Sequence, residues 1–179
     1  MEARPSFLET VGKTIVTHTV TYFAMGLLAS TVFDYKNLYA DTALRLLMRQ
    51  TTDPLVMSGP LFQPIRGFLF GIAFFLLRNA VFSRKYSWLV MWLALAVFGI
   101  LGPFGPAPGS IEGVIYTVIP VEVQLIGLPE VVLQSLLLSV VLIHWVRHPK
   151  SKWLSWVLGI AFVLVMLLPA LGLFLGNRV

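Results

Sequence analysis

The segment KTIVTHTVTYFAMG sets Thr14, Thr17, His18, Thr21 and Tyr22 at three- and four-residue spacings inside an apolar run. On a helix these positions share one face. Met25 and Ala29 come next on that face, so its polarity ends partway along, and Thr19 lies on another side. Polar groups inside a membrane span turn away from lipid, toward other helices or a cavity. An imidazole there is chemically able to carry a proton, touch a ligand or hold a cofactor. A plainer reading accounts for the same residues: the threonines bond to their own helix and His18 bonds to a neighbouring one. The plainer reading is preferred because it requires no chemistry.

A second group gathers around Arg66. It stands twelve residues before Arg78 with no charge between, about 18 Å along a helix. The hydrocarbon core is roughly 30 Å thick, so at least one of the two sits within the membrane margins. An unpaired arginine is costly there. Glu130 and Gln134 are one helical turn apart and are expected at the depth of Arg66, with Glu112 and Glu122 just before them. Arg66, Glu112, Glu122, Glu130 and Gln134 are therefore read as one polar cluster. Its function would be an anion clamp or a proton-linked pocket; its structural role would be an ion pair docking residues 103–130 onto the bundle. The structural role is preferred. The His18 face and the Arg66 cluster are assigned to opposite depths of the membrane.

Other chemistry is thinly represented. His144 and His148 share a face, but no third ligand lies near, and HWVRHPKSKW matches the aromatic and basic pattern of a membrane edge. No metal site is assigned. The chain has no cysteine, which removes disulfides and thiolate chemistry. HExxH, Walker and GxSxG motifs are absent, which weighs against a known type of enzyme. No cofactor is specified by these residues.

The elements that must position these groups follow from composition. Hydrophobic residues make up 58% of the 179 and charged residues 12%, about half the usual charged share of about 25%. Too few charges remain to cover a surface in water. The expected fold is an all-α integral membrane protein, a single domain of about five transmembrane helices at about 14–33, 65–82, 87–102, 129–146 and 153–176. Gly67 and Gly71 form a small-residue face suited to close helix packing, and Pro169 should kink the last helix. Residues 39–50, YADTALRLLMRQ, read as a short amphipathic helix on the outer surface, with Asp41 at its start and Ala43, Leu44, Leu47 and Met48 on its apolar face. Residues 103–130, rich in proline and glycine, read as an irregular outer segment that is a re-entrant stretch, an outer cap or a bent extension of the fourth helix.

Arg84, Lys85, Arg147, Lys150 and Lys152 fall in two short connections, whereas 103–130 has three glutamates and no basic residue. Positive loops stay cytoplasmic, which sets the N-terminus inside and the C-terminus on the opposite side. The net charge of +5 is thereby explained by orientation, not by nucleic acid. The expected function is a binding or scaffold subunit for a lipid, small ligand or partner membrane protein, with membrane lipids and a second copy of the chain among its partners. A small transporter or channel component ranks second and a membrane-embedded enzyme third. All three require hydrocarbon as the main solvent. Diluting the purified protein out of detergent should therefore give aggregation, and size-exclusion chromatography should recover a monodisperse species only with detergent or lipid present.

Overall fold

A computed structural model describes residues 5–41, 43–103 and 105–176. Every regular element among them is helical. Helix α1 spans Phe7–Val32, with Ser6 Oγ accepting from the backbone N–H of Glu9 at its start. It begins seven residues earlier than the hydrophobic pattern alone places it. Glu9 and Lys13 belong to the helix as a pair at 2.7 Å, and Lys13 Nζ also donates to the Trp145 carbonyl at 3.0 Å. Asp34, with φ 46°, turns the chain into α2, Tyr35–Asp41. A single 3₁₀ turn, Ala43–Leu46, and α3, Pro54–Met57, lead to α4, Gly59–Leu76. The short α5, Arg78–Val81, follows, then α6, Ser87–Ala96, which a π turn extends through Leu101. Two short helices, α7 (Ile111–Tyr116) and α8 (Val121–Ile126), precede α9 (Leu128–Arg147) and α10 (Lys152–Gly176).

Four helical stretches are long and apolar enough to cross a membrane: Phe7–Val32, Gly59–Leu76, Val121–Arg147 and Lys152–Phe174. The third apolar run of the sequence yields a shorter helix, Ser87–Leu101, about 22 Å long at 1.5 Å per residue. It stops at Gly102 and Pro103, where the backbone leaves helical geometry. Large apolar side chains face outward on all sides, among them Phe62, Leu69, Phe98 and Trp156. Such a surface is stable against acyl chains and unstable against water.

Helix α1 is the hub. It packs along α4, α9 and α10, and α6 packs on the far side of α9. The α1–α4 contact is set by two glycines. A Cβ on Gly67 would fall 2.8 Å from the Ile15 Cα, and one on Gly71 would fall 2.8 Å from the Val11 Cα. No side chain fits at those separations, so the backbones touch in antiparallel register, as small-residue faces permit in membranes. An apolar core of Phe74, Val81, Phe82, Met91, Leu138, Leu142, Ile143 and Val146 fills the space between α4–α5, α6 and α9. Beside it Arg147 closes one end of the bundle. Its guanidinium donates to the carbonyls of Phe82 and Arg84 and to Ser87 Oγ. This is the Arg147 end; the opposite end carries Glu130.

Three expectations are revised. The run expected at 65–82 begins at Gly59, breaks at Leu77 and resumes as α5. The surface helix expected over 39–50 is divided between α2 and the 3₁₀ turn, because Gln50 Nε2 reaches back to the Tyr39 carbonyl at 2.9 Å and folds the segment on itself. Of its expected apolar face, Leu44 is buried while Leu47 and Met48 are exposed; the side chains of Asp41 and Ala43 lie outside the described set. Residues 103–130 are not irregular throughout. They contain α7 and α8, and α8 is a bent extension of α9 with its break at Gly127.

The glycine contact gives a matched pair of outcomes. Gly71→Ala should destabilise the protein by about 1–3 kcal/mol through overpacking. Gly159→Ala on α10, where a Cβ meets nothing within 4 Å, should be neutral or stabilising by up to about 1 kcal/mol. Thermal unfolding in detergent compares the two.

Candidate functional site

The polar face of α1 is buried. Thr14, Thr17, His18 and Thr21 are all nearly inaccessible, and so is Thr19 on the other side, because helices pack on α1 from several directions. Thr14 Oγ1 donates to the Thr10 carbonyl at 2.7 Å and Thr21 Oγ1 to that of Thr17 at 2.8 Å. These bonds satisfy the hydroxyls within their own helix. Thr17 Oγ1 and Thr19 Oγ1 have no hydrogen-bond partner among the described residues.

His18 joins three helices. Its Nε2 lies 3.2 Å from Gln63 Oε1 on α4, and its Nδ1 lies 3.5 Å from Gln134 Nε2 on α9. Gln63 Nε2 is committed to the Gly59 carbonyl, so its oxygen faces the ring. That arrangement makes Nε2 the donor and Nδ1 the acceptor, which is one neutral tautomer of imidazole. Gln134 Nε2 also approaches Thr21 Oγ1 at 3.5 Å. The Phe70 ring meets the imidazole edge to face at 5.1 Å. Gln63 went unnoticed in the sequence because it precedes the apolar run. The clue is its spacing: Gln63, Gly67 and Gly71 repeat every four residues and face α1 together.

The Arg66 cluster divides. Arg66 is exposed and lies over the Phe70 ring at 5.5 Å. Among the described residues the ion pairs are Glu9–Lys13 and Arg49–Asp53, and neither includes Arg66. Glu130 instead accepts a short hydrogen bond from the Tyr35 hydroxyl. Glu122 is exposed and Glu112 half-buried, and neither is ion-paired with Arg66. Gln134 belongs with His18. The two groups are thus not at opposite depths: α9 carries Glu130 and Gln134 one turn apart, and α1 runs past both. A Cβ on Gly26 would meet Glu130 Oε1 at 3.6 Å, two turns beyond His18, with Tyr22 between them and its ring 6.0 Å from the imidazole.

At the Glu130 end a pocket of about 190 Å³ opens between α2, the 3₁₀ turn, α8 and the start of α9. Tyr35, Tyr39, Gln124 and Glu130 supply its polar groups, and Leu44, Met48 and Leu128 belong to its apolar wall. The Tyr35 and Tyr39 rings stack at 5.1 Å. Burial and the neighbouring Glu130 carboxylate push both phenols above their ordinary range, so they stay protonated. Gln124 holds the far wall. Its Nε2 donates to the carbonyls of Ile119 at 2.8 Å and Gly113 at 3.3 Å, and its Oε1 accepts from the Gly109 N–H at 3.3 Å. Gly109, at φ 84°, and Gly113, whose Cβ would lie 2.1 Å from the Ala107 oxygen, are required by that fold. No local sequence signal marks Gln124 as the centre of this segment, because its partners are carbonyls brought round by turns.

At the Arg147 end, His144 and His148 stack at 4.3 Å, with His148 Nδ1 2.9 Å from the His144 carbonyl. No group of three or more potential metal ligands occurs among the described residues. No family model, curated protein or solved structure matches this chain.

The raised phenols predict an alkaline signature. Above the ordinary phenol pKa of about 10, the unfolded chain releases protons that the folded one retains. Stability therefore falls as pH rises. The combined variant Tyr35→Phe, Tyr39→Phe should flatten that fall, measured as the unfolding temperature against pH from 8 to 11.

Proposed function

We propose that this is a multi-pass membrane protein that binds a small ligand in the pocket at its Glu130 end. The observation that carries the reading is the construction of that pocket. Two stretches outside the long helices, α2 and the 3₁₀ turn, fold with Pro108 and the bent α8 around the first turn of α9 and leave a space of about 190 Å³. Its mixture of an apolar wall with a few converging polar groups is that of a ligand site. Its size, below the roughly 300–1,000 Å³ of sites for drug-sized molecules, fits a ligand of few heavy atoms.

The chain crosses the bilayer five times in this reading, with Ser87–Leu101 as the short crossing. That helix leaves the Arg147 end at Ser87, and the next segment, with Pro108 and Gln124, lies at the Glu130 end. Arg84, Lys85, Arg147, Lys150 and Lys152 put the Arg147 end in the cytoplasm. The pocket then faces outward. The polar seam beneath it supports binding over passage, because His18, Thr14 and Thr17 are packed against neighbouring helices with at most 1% of their surface exposed. A scaffold role is the second reading. It draws on α10, whose apolar window is only 11% buried within the chain and is free to meet lipid or another subunit.

Native mass spectrometry of the protein released from its own membrane should show a small bound molecule. Gly127→Leu should remove it. Gly127 lines the pocket, and a Cβ there meets nothing within 4 Å. Retention of the same adduct in a folded Gly127→Leu protein would place its site elsewhere.

A further inference from the structure

We infer that the ligand of this pocket is a small organic cation, an amine or quaternary ammonium held by Glu130 and the stacked Tyr35–Tyr39 pair. The inference rests on the ligand-binding reading above and adds the chemical class. Glu130 is the one acid among the described residues that line the pocket, and none of these is basic. Its Oε2 accepts from the Tyr35 hydroxyl, and a phenol of that kind donates without adding positive charge. The carboxylate therefore keeps its need for a cation while standing among apolar groups, where an unmatched charge is costly. The cation expected from the sequence, Arg66, lies over Phe70 instead.

The aromatic pair points the same way. Tyr35 and Tyr39 are parallel within 20° and both line the pocket; Tyr35 also stacks on Phe33 at 6.2 Å, so Tyr39 is the ring assigned to the cation. Aromatic faces attract ammonium groups through the ring quadrupole, most strongly where water is displaced. A metal ion fits poorly. Calcium and magnesium require about six or more oxygen ligands, whereas the wall here is chiefly apolar with a single carboxylate. A weakly hydrated ammonium needs no such shell. An anion is disfavoured by the absence of any basic lining residue and by Glu130 itself.

The same chemistry is available from a free amine or from the headgroup of a zwitterionic lipid. Calorimetric titration of the full chain with tetramethylammonium, in phosphatidylglycerol nanodiscs, addresses the class. Its neutral carbon analogue neopentane, or the more soluble tert-butanol, serves as the comparison. Saturable binding of tetramethylammonium is expected, at least tenfold tighter than the neutral probe and at least tenfold weaker in Glu130→Gln. Tyr39→Leu, which leaves Glu130 and its tyrosine bond in place, should weaken it severalfold and covers the case in which Glu130→Gln does not fold. Equal affinity for the charged and neutral probes, or unchanged affinity in the folded variants, overturns the cation and leaves the pocket reading standing. Binding of neither probe overturns the cation, and the pocket reading falls with it only if no molecule copurifies. Repeating the titration in phosphatidylcholine nanodiscs separates the sources. Loss of the signal there identifies the lipid headgroup as the occupant, and an unchanged signal identifies a free amine; either result supports an ammonium site.

Discussion

The close approach of α1 to α4 is the contact on which the arrangement depends. Gly67 and Gly71 bring two backbones together at separations that admit no Cβ. In hydrocarbon there is no hydrophobic gain from burying one apolar helix against another, so van der Waals contact between backbones and hydrogen bonds between helices must supply the association. Both are found along this seam. The glycines provide the first, and Gln63, one turn before Gly67, provides the second by meeting His18 at 3.2 Å. From that register, α9 is positioned by Gln134 beside His18, by Lys13 donating to the Trp145 carbonyl and by Glu130 beside Gly26.

The polar groups then sort by what each has to satisfy it. The histidine is held between two amides and an aromatic ring, so its partners are complete within the bundle. Arg147 spends its guanidinium on carbonyls and a hydroxyl that close the end of the core. Glu130 differs. Its partner is a neutral phenol, and it stands at the mouth of a space instead of within a packed layer. Being in the first turn of α9, its carboxylate also benefits from the positive end of the helix dipole. The histidine is thus held by partners on two other helices, whereas Glu130 has no cationic partner among the described residues.

The segment before α9 shows how irregular backbone is satisfied from within its own loop. Carbonyls outside regular structure need donors where water is scarce. Gln124, 2% exposed, supplies two N–H donors and one acceptor to backbone groups that its own loop leaves open. The same glutamine forms part of the pocket wall. Support and site are thus one construction.

Composition and hydrophobic run lengths alone determined the class, a helical chain with membrane-length apolar stretches; they gave about five, where the structure has four long ones and the shorter Ser87–Leu101. The small-residue face of α4 and the buried polar face of α1 were legible too, because helical spacing turns a list of residues into a surface. What those surfaces meet was not. Arg66 is opposite in charge to Glu112, Glu122 and Glu130, and the sequence reads one of them as its partner, yet a helix fixes only which residues point together, and the rotation of α4 about α1 points Gln63, not Arg66, at the seam. Tyr35, Tyr39 and Gln124 reach the site from segments whose paths depend on turns at Asp34, Gly109 and Gly127. Periodicity carries no information across such turns, so the pocket exists only in the tertiary structure.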